Sequence, residues 1–165
     1  LLRVALRPEG RHGGQVLRHG LDWLLGSLHA LPLYEIAAVA AGSDPVLREH
    51  PPLSSERAVT SLQALVALRE EALQQPLPFL PRTGFTYFSK QREKGEAAAL
   101  EKAAEEWRGS DRQRGDAGPA TRLALRGRDP FFDHDPGQRD RFVRIATALF
   151  GAFEDDAPLH AEALR

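Results

Sequence analysis

Apolar positions along this chain change period several times, and each change marks an element. Leu1 to Arg7 reads as a strand already under way, and Pro8 to Gly14 as a loop. Leu17, Leu21, Leu24, Leu25 and Leu28 then recur at helical spacing. Tyr34 to Ala40 is a short, largely apolar β candidate ended by the turn formers Gly42-Ser43-Asp44-Pro45. After Pro51-Pro52-Leu53 a serine cap at Ser54-Ser55 opens the firmest helix, whose Val59, Leu62, Leu65, Val66 and Leu73 keep helical spacing until Pro76. Pro76, Pro78 and Pro81 make a stiff strap, forcing Gln75, Leu77 and Leu80 toward extended backbone. Its interleaved Leu77, Phe79 and Leu80 predict that the strap lies over a packed surface.

Thr83 to Gln91, carrying Phe85, Tyr87 and Phe88, reads as a helix. So does Glu96 to Arg108, with Leu100, Ala103, Ala104 and Trp107 on one face and Lys102 spaced to pair with Glu106. Ser110 to Gly118 is polar and glycine-bearing and predicts a mobile loop, and Thr121 to Arg126 a short strand or extended cover. Asp135-Pro136 caps a last helix striped by Phe142, Ile145, Ala146, Leu149 and Phe153, and residues 154–165 read as a frayed acidic tail. Strands and helices mix without a strict alternation, so the expected fold class is α/β (α+β), a small mixed sheet flanked by helices. The 165 residues fit one domain, 1–165. The strand already under way at Leu1, and a chain without methionine, predict a fragment, the end of a larger polypeptide.

Net charge is -1 and the sequence pI about 6.7, so any nucleic-acid contact must rest on local patches. With no cysteine, thiolate chemistry and disulfides are excluded, and a reducing compartment fits. No apolar run is long enough to cross a membrane, and the expectation is a soluble, cytoplasmic protein without membrane partners.

Local chemistry is sparse. Gly10-Arg11-His12-Gly13-Gly14, between a strand and a helix, invites a phosphate-binding reading, but no lysine and hydroxyl residue follow in P-loop order. An ordinary strand-to-helix turn explains it better. Arg3, Arg7, Arg11 and Arg18 are opposed only by Glu9, which makes them candidates for DNA-backbone contact. A second cluster, Arg122, Arg126 and Arg128, shares that ambiguity between phosphate contact and solvated surface. Asp129, Asp133, His134 and Asp135 crowd hard-metal donors together, but Asp-Pro pairs read better as turns and caps, so no metal site or cofactor is expected. Nucleases of the PD-(D/E)xK class need an acidic residue two before a lysine. The residues two before Lys90, Lys94 and Lys102 are Phe88, Arg92 and Leu100, so no such triplet exists.

The order of features resembles the C-terminal region of the RecC family, the gamma subunit of exodeoxyribonuclease V. The segments that carry the likeness are the strand with Arg7-Pro8, Leu21-Asp22-Trp23-Leu24-Leu25, Pro52-Leu53-Ser54 and the strap Pro76 to Thr83. Glu106-Trp107 and Leu125-Arg126-Gly127-Arg128-Asp129-Pro130 extend it over nearly the whole chain. The resemblance implies the C-terminal fragment of a larger subunit, a degenerate PD-(D/E)xK nuclease-like domain incomplete at its N-terminus that has lost its active site, with Ala5-Leu6-Arg7 standing where active relatives carry Asp-x-Lys. It implies no intrinsic activity, and a place in an ATP-dependent helicase and exodeoxyribonuclease complex that acts in double-strand break repair and recombination. The partners it implies are helicase and helicase–nuclease subunits and forked or single-stranded DNA. The alternative is a scaffold that docks a helicase subunit through Phe85, Tyr87 and Phe88 without touching DNA. An independent enzyme built on Asp133-His134-Asp135 lacks a convergent acid, base and metal arrangement.

Overall fold

The computed structural model describes residues 2–5, 13–37, 46–110, 113–131 and 136–154. The first half builds a sheet. Strand β1 (Leu2–Ala5) leads to helix α1 (Gly13–Ser27), then to strands β2 (Leu33–Ala37) and β3 (Val46–His50). β1 pairs β2 in parallel and β2 pairs β3 antiparallel, in the order β1-β2-β3, so the small mixed sheet is present. The expected turn at Gly42-Ser43-Asp44-Pro45 lies outside the described residues. β3 was not foreseen: Arg48, Glu49 and His50 give it an edge strand's charge rather than an alternating apolar pattern.

Helix α2 (Ser55–Gln74) starts where the serine signal put it, with the Ser54 hydroxyl accepting the Arg57 N–H at 3.2 Å. The strap then behaves as its prolines require. Gln75 (φ -154, ψ 146) and Leu80 (φ -133, ψ 146) are extended. Pro78 is buried, and Phe79 and Leu80 pack on the core beneath. Pro81 occupies the first turn of helix α3 (Pro81–Lys94), where its missing N–H costs nothing. Gly95, at φ 84, lets the chain reverse sharply into helix α4 (Glu96–Arg108). Lys102 pairs with Glu105 at 2.7 Å rather than with the expected Glu106, because Arg82 holds Glu106 at 2.6 Å.

Three expectations for the second half are corrected. Part of the segment expected to be mobile, Ser110 to Gly118, forms an antiparallel ribbon, β4 (Gly109–Ser110) with β5 (Gln113–Arg114), and is tied back to α3 by Asp116. The Asp116 carboxylate accepts the backbone N–H of Thr83 at 3.1 Å and its hydroxyl at 2.7 Å, while Arg82 sits 3.3 Å from the other oxygen. It caps a helix whose own N-cap, Leu80, has no side-chain oxygen. Thr121 to Arg126, expected as a short strand or extended cover, belongs to helix α5 (Pro119–Ala124) and its C-terminal turn. Gly118-Pro119 starts that helix and the Thr121 hydroxyl donates to the Asp116 carbonyl at 2.8 Å, local chemistry that overrides the alternating leucines. Glu154, placed in the frayed tail, instead bonds Arg92 at 2.6 Å, and its carbonyl accepts from Arg57 at 3.0 Å.

Helix α6 (Pro136–Gly151) completes the core with the stripe its spacing predicts: Phe142, Ile145 and Ala146 are fully buried. One cluster joins Tyr87, Trp107, Leu125, Phe131 and Phe142 across α3, α4 and α6, with edge-on ring pairs Tyr87–Phe142 (5.6 Å) and Phe131–Phe142 (4.9 Å). A second joins Trp23, Leu24, Leu33, Leu53 and Ala58 where α1 and α2 meet the sheet. Between α2 and α6 runs a charged clamp, in which Glu71 accepts from Arg141 at 2.7 Å and from Arg144 at 2.8 Å.

The buried face of α1 takes only Leu24 from its leucine stripe. Gly13, Gly20, Trp23, Leu24, Gly26 and Ser27 face inward, whereas Leu21, Leu25 and Leu28 are 42%, 48% and 38% exposed. The glycines are the reason. A Cβ on Gly13 would strike the Pro81 carbonyl and the Phe85 side chain, and one on Gly20 the Phe153 ring. The helix is drawn against α3 and α6 through positions without side chains, and Leu21, Leu25 and Leu28 are left on the far side.

Candidate nucleic-acid and docking surfaces

Of the four arginines singled out for DNA contact, Arg7 and Arg11 lie outside the described residues. Arg3 stands on β1 with Glu35 as its partner across the strand pair, and Arg18 is exposed on α1. The two described members are therefore split between a sheet position in register with Glu35 and a helix surface. The glycine loop supports an anion site no better. Gly13 opens α1 but is buried against the start of α3, so packing accounts for the glycine without a phosphate.

Glu35 is the chemistry that sequence spacing did not reveal. It sits on the central strand, 8% exposed, and its register partners are Arg3 on β1 and Arg48 on β3. His50, two residues along β3 from Arg48, approaches the Glu35 carboxylate at 3.4 Å. The His50 ring meets Trp23 edge-on at 6.3 Å, and the Trp23 indole N–H donates to the Pro51 carbonyl at 2.9 Å. Ser27 ties the same corner, donating to the Trp23 carbonyl at 2.8 Å and accepting the Leu53 N–H at 3.0 Å. A nuclease metal site gathers carboxylates; here the buried sheet carboxylate has a cationic residue type on either side. The signal available in sequence was the period-2 spacing of Arg48 and His50, but it becomes visible only once β3 is known to be a strand.

Asp129, the first of the crowded donors, is committed to structure: one oxygen accepts the Trp107 indole N–H at 2.9 Å and the other the Phe131 N–H at 2.8 Å. Asp133, His134 and Asp135 lie outside the described residues, and among the described residues no three His, Cys, Asp or Glu groups come together to hold a metal.

The aromatic residues of α3 pack inside the chain rather than standing open to a partner. Tyr87 is 1% exposed and Phe88 7%, and Phe85 is half-buried. Their rings pack within the chain: Tyr87 on Phe142, and Phe85 and Phe88 on Phe150 at 5.4 and 5.8 Å. Burial pushes the Tyr87 phenol above its ordinary range, with the Glu96 charge adding to it. Apolar residues do face outward elsewhere among the described residues: Leu21, Leu25 and Leu28 on α1, continued by Leu31 at 47%, and also Val59, Val66 and Leu73 on α2 and Leu123 on α5. No helix among the described residues is long and apolar enough to cross a membrane.

The family model described as the RecC C-terminal domain matches residues 2–92, more than half of the chain. The match takes in the sheet, α1, α2, the strap and most of α3; the Glu106-Trp107 and Leu125 to Pro130 segments lie beyond it. No curated protein matches the chain. On that match the chain belongs to the RecC C-terminal domain family, which sets it in the context of the gamma subunit of exodeoxyribonuclease V.

Proposed function

We propose that this chain is a non-catalytic domain of the gamma subunit, a degenerate relative of the PD-(D/E)xK nucleases that helps split and guide DNA strands during double-strand break processing. The observation that carries the reading is the surroundings of Glu35. Where a working nuclease sheet would set a second carboxylate and a lysine, the register sets Arg3 and Arg48, and no Asp/Glu-x-Lys triplet occurs anywhere in the sequence. Arginines at the sheet suit contact with phosphate better than metal chemistry. The test is anisotropy of the whole chain on a fluorescent forked DNA at low and moderate salt with magnesium, with product length followed on a gel. Salt-sensitive binding without cleavage is expected; magnesium-dependent cleavage would overturn the reading.

A second reading, docking onto a helicase subunit, is favoured by the outward Leu21, Leu25, Leu28 and Leu31. Family membership implies a complex with the other subunits. Leu21→Glu with Leu25→Glu is expected to abolish co-purification with those subunits while leaving the chain folded. Unimpaired co-purification would remove α1 from the interface.

A further inference from the structure

The chain carries -1 overall, yet residues 108–129 hold six arginines against three aspartates. Two of those aspartates are already engaged: Asp116 holds Thr83 and Arg82, and Asp129 holds Trp107 and the Phe131 N–H. Arg114, Arg122, Arg126 and Arg128 are all exposed, and none forms an ion pair among the described residues. The described arginines elsewhere are mostly bound: Arg82 to Glu106, Arg92 to Glu154, and Arg141 and Arg144 to Glu71.

Geometry gathers the exposed four. The Arg114 guanidinium lies beside Gly118, which caps the start of α5, and Arg122 is in its last turn. The helix ends in a Schellman turn, with the Gly127 N–H bonded to the Arg122 carbonyl at 2.9 Å and the Arg126 N–H to the Leu123 carbonyl at 3.1 Å. Six helical residues span only about 9 Å, so the four cations bracket one short element. Arg126 occupies the left-handed position of that turn, φ 54, which glycine normally fills, while Gly127 follows it at φ 76. A strained arginine is kept where the neighbouring residue type would relieve the strain.

We infer that Arg114, Arg122, Arg126 and Arg128 form a phosphate-binding surface for a nucleic-acid strand, with Arg126 held in its left-handed conformation to bring its guanidinium alongside the others. The inference rests on the reading of the chain as a DNA-handling domain, and it concerns residues beyond the 2–92 that the family model matches. Guanidinium groups suit phosphate oxygens by bidentate geometry, and a strand of nucleic acid presents such oxygens in series along its length.

The test compares the whole chain with Arg126→Gly and with the triple variant Arg122→Gln, Arg126→Gln, Arg128→Gln on a fluorescent forked DNA across a salt series. Arg126→Gly is expected to raise the unfolding midpoint by about 2–4 °C, while weakening DNA binding about fivefold. The triple variant is expected to flatten the slope of log affinity against log salt by about two, near 0.7–0.9 for each lost phosphate contact. If the unchanged chain binds and both variants bind with the same affinity and slope, the surface is elsewhere and only this inference falls. Should the unchanged chain fail to bind at any salt, the DNA-handling reading falls with it. Competition by poly-glutamate as effective as by unlabelled DNA would assign the cluster to an acidic protein segment instead.

Discussion

Ala30 shares with Arg126 a left-handed backbone, φ 54, at the last position of a Schellman turn. Leu31 N–H reaches the Gly26 carbonyl and Ala30 N–H the Ser27 carbonyl, both at 3.0 Å, closing α1 over the second core. Ala30 carries no charge or hydrogen-bonding side chain that would benefit from the strain. Ala30→Gly should therefore stabilise the chain by about 0.5–1 kcal/mol, read as a rise in the thermal midpoint with no change in DNA binding. Asp116 gives the opposite sign. Asp116→Ala leaves the Thr83 N–H without its acceptor and Arg82 without one of its two carboxylates, and is expected to lose about 1–2 kcal/mol in denaturant titrations. Asp116→Asn, which keeps an acceptor oxygen, should lose less.

At the scale of elements, α1 separates what hydrophobic spacing reports from what packing requires. Gly13→Ala adds a methyl against the Pro81 carbonyl, a backbone group that cannot swing aside, so a change that ordinarily favours helix should destabilise by about 2 kcal/mol. Leu25→Gln on the outer face is expected within about 0.5 kcal/mol of the parent. Helix existence was legible in the sequence where a cap punctuated a stripe, Ser54 for α2 and Asp135-Pro136 for α6, while Pro119 at the start of α5 went unread for want of a stripe. Which face of α1 is buried was not legible, because glycine registers as no hydrophobicity while permitting the closest approach. β3 and the ribbon escaped because their strands are short and polar, stabilised by neighbours remote in sequence rather than by their own pattern. The candidate chemistry was legible as residue type but not as place. Arg3 and Glu35 lie thirty-two positions apart, and only the parallel pairing of β1 with β2 sets them side by side.

For the molecule as a whole, the Glu71 clamp makes packing of α2 on α6 depend on pH. Burial alone would push the Glu71 carboxyl upward, but hydrogen bonds from Arg144 and Arg141 and their charges outweigh it and hold the group below its ordinary 4.5. A carboxylate with a lowered folded-state pKa contributes its stability in full above about 4.5, and loses it as pH falls through the folded value. Stability of the parent should thus decline below about pH 4.5 more steeply than that of Glu71→Gln. At neutral pH that variant should be weaker by about 1 kcal/mol, a modest figure because the site is partly open to water. Denaturation midpoints of the two proteins at pH 7 and pH 4 provide the check; parallel curves would show that the clamp does not govern acid sensitivity.

The inverted face of α1 also makes evolutionary change readable in an unusual way. Gly13 and Gly20 are fixed by the chain's own geometry, whatever the helix touches, so their persistence among relatives would carry no information about partners. Leu21, Leu25 and Leu28 belong to neither core cluster, and in a chain that nothing covers they would drift toward polar residues within a few substitutions. Leucines retained there beside free drift at other exposed positions would be the imprint of a neighbouring subunit, left in the substitution record rather than in the fold.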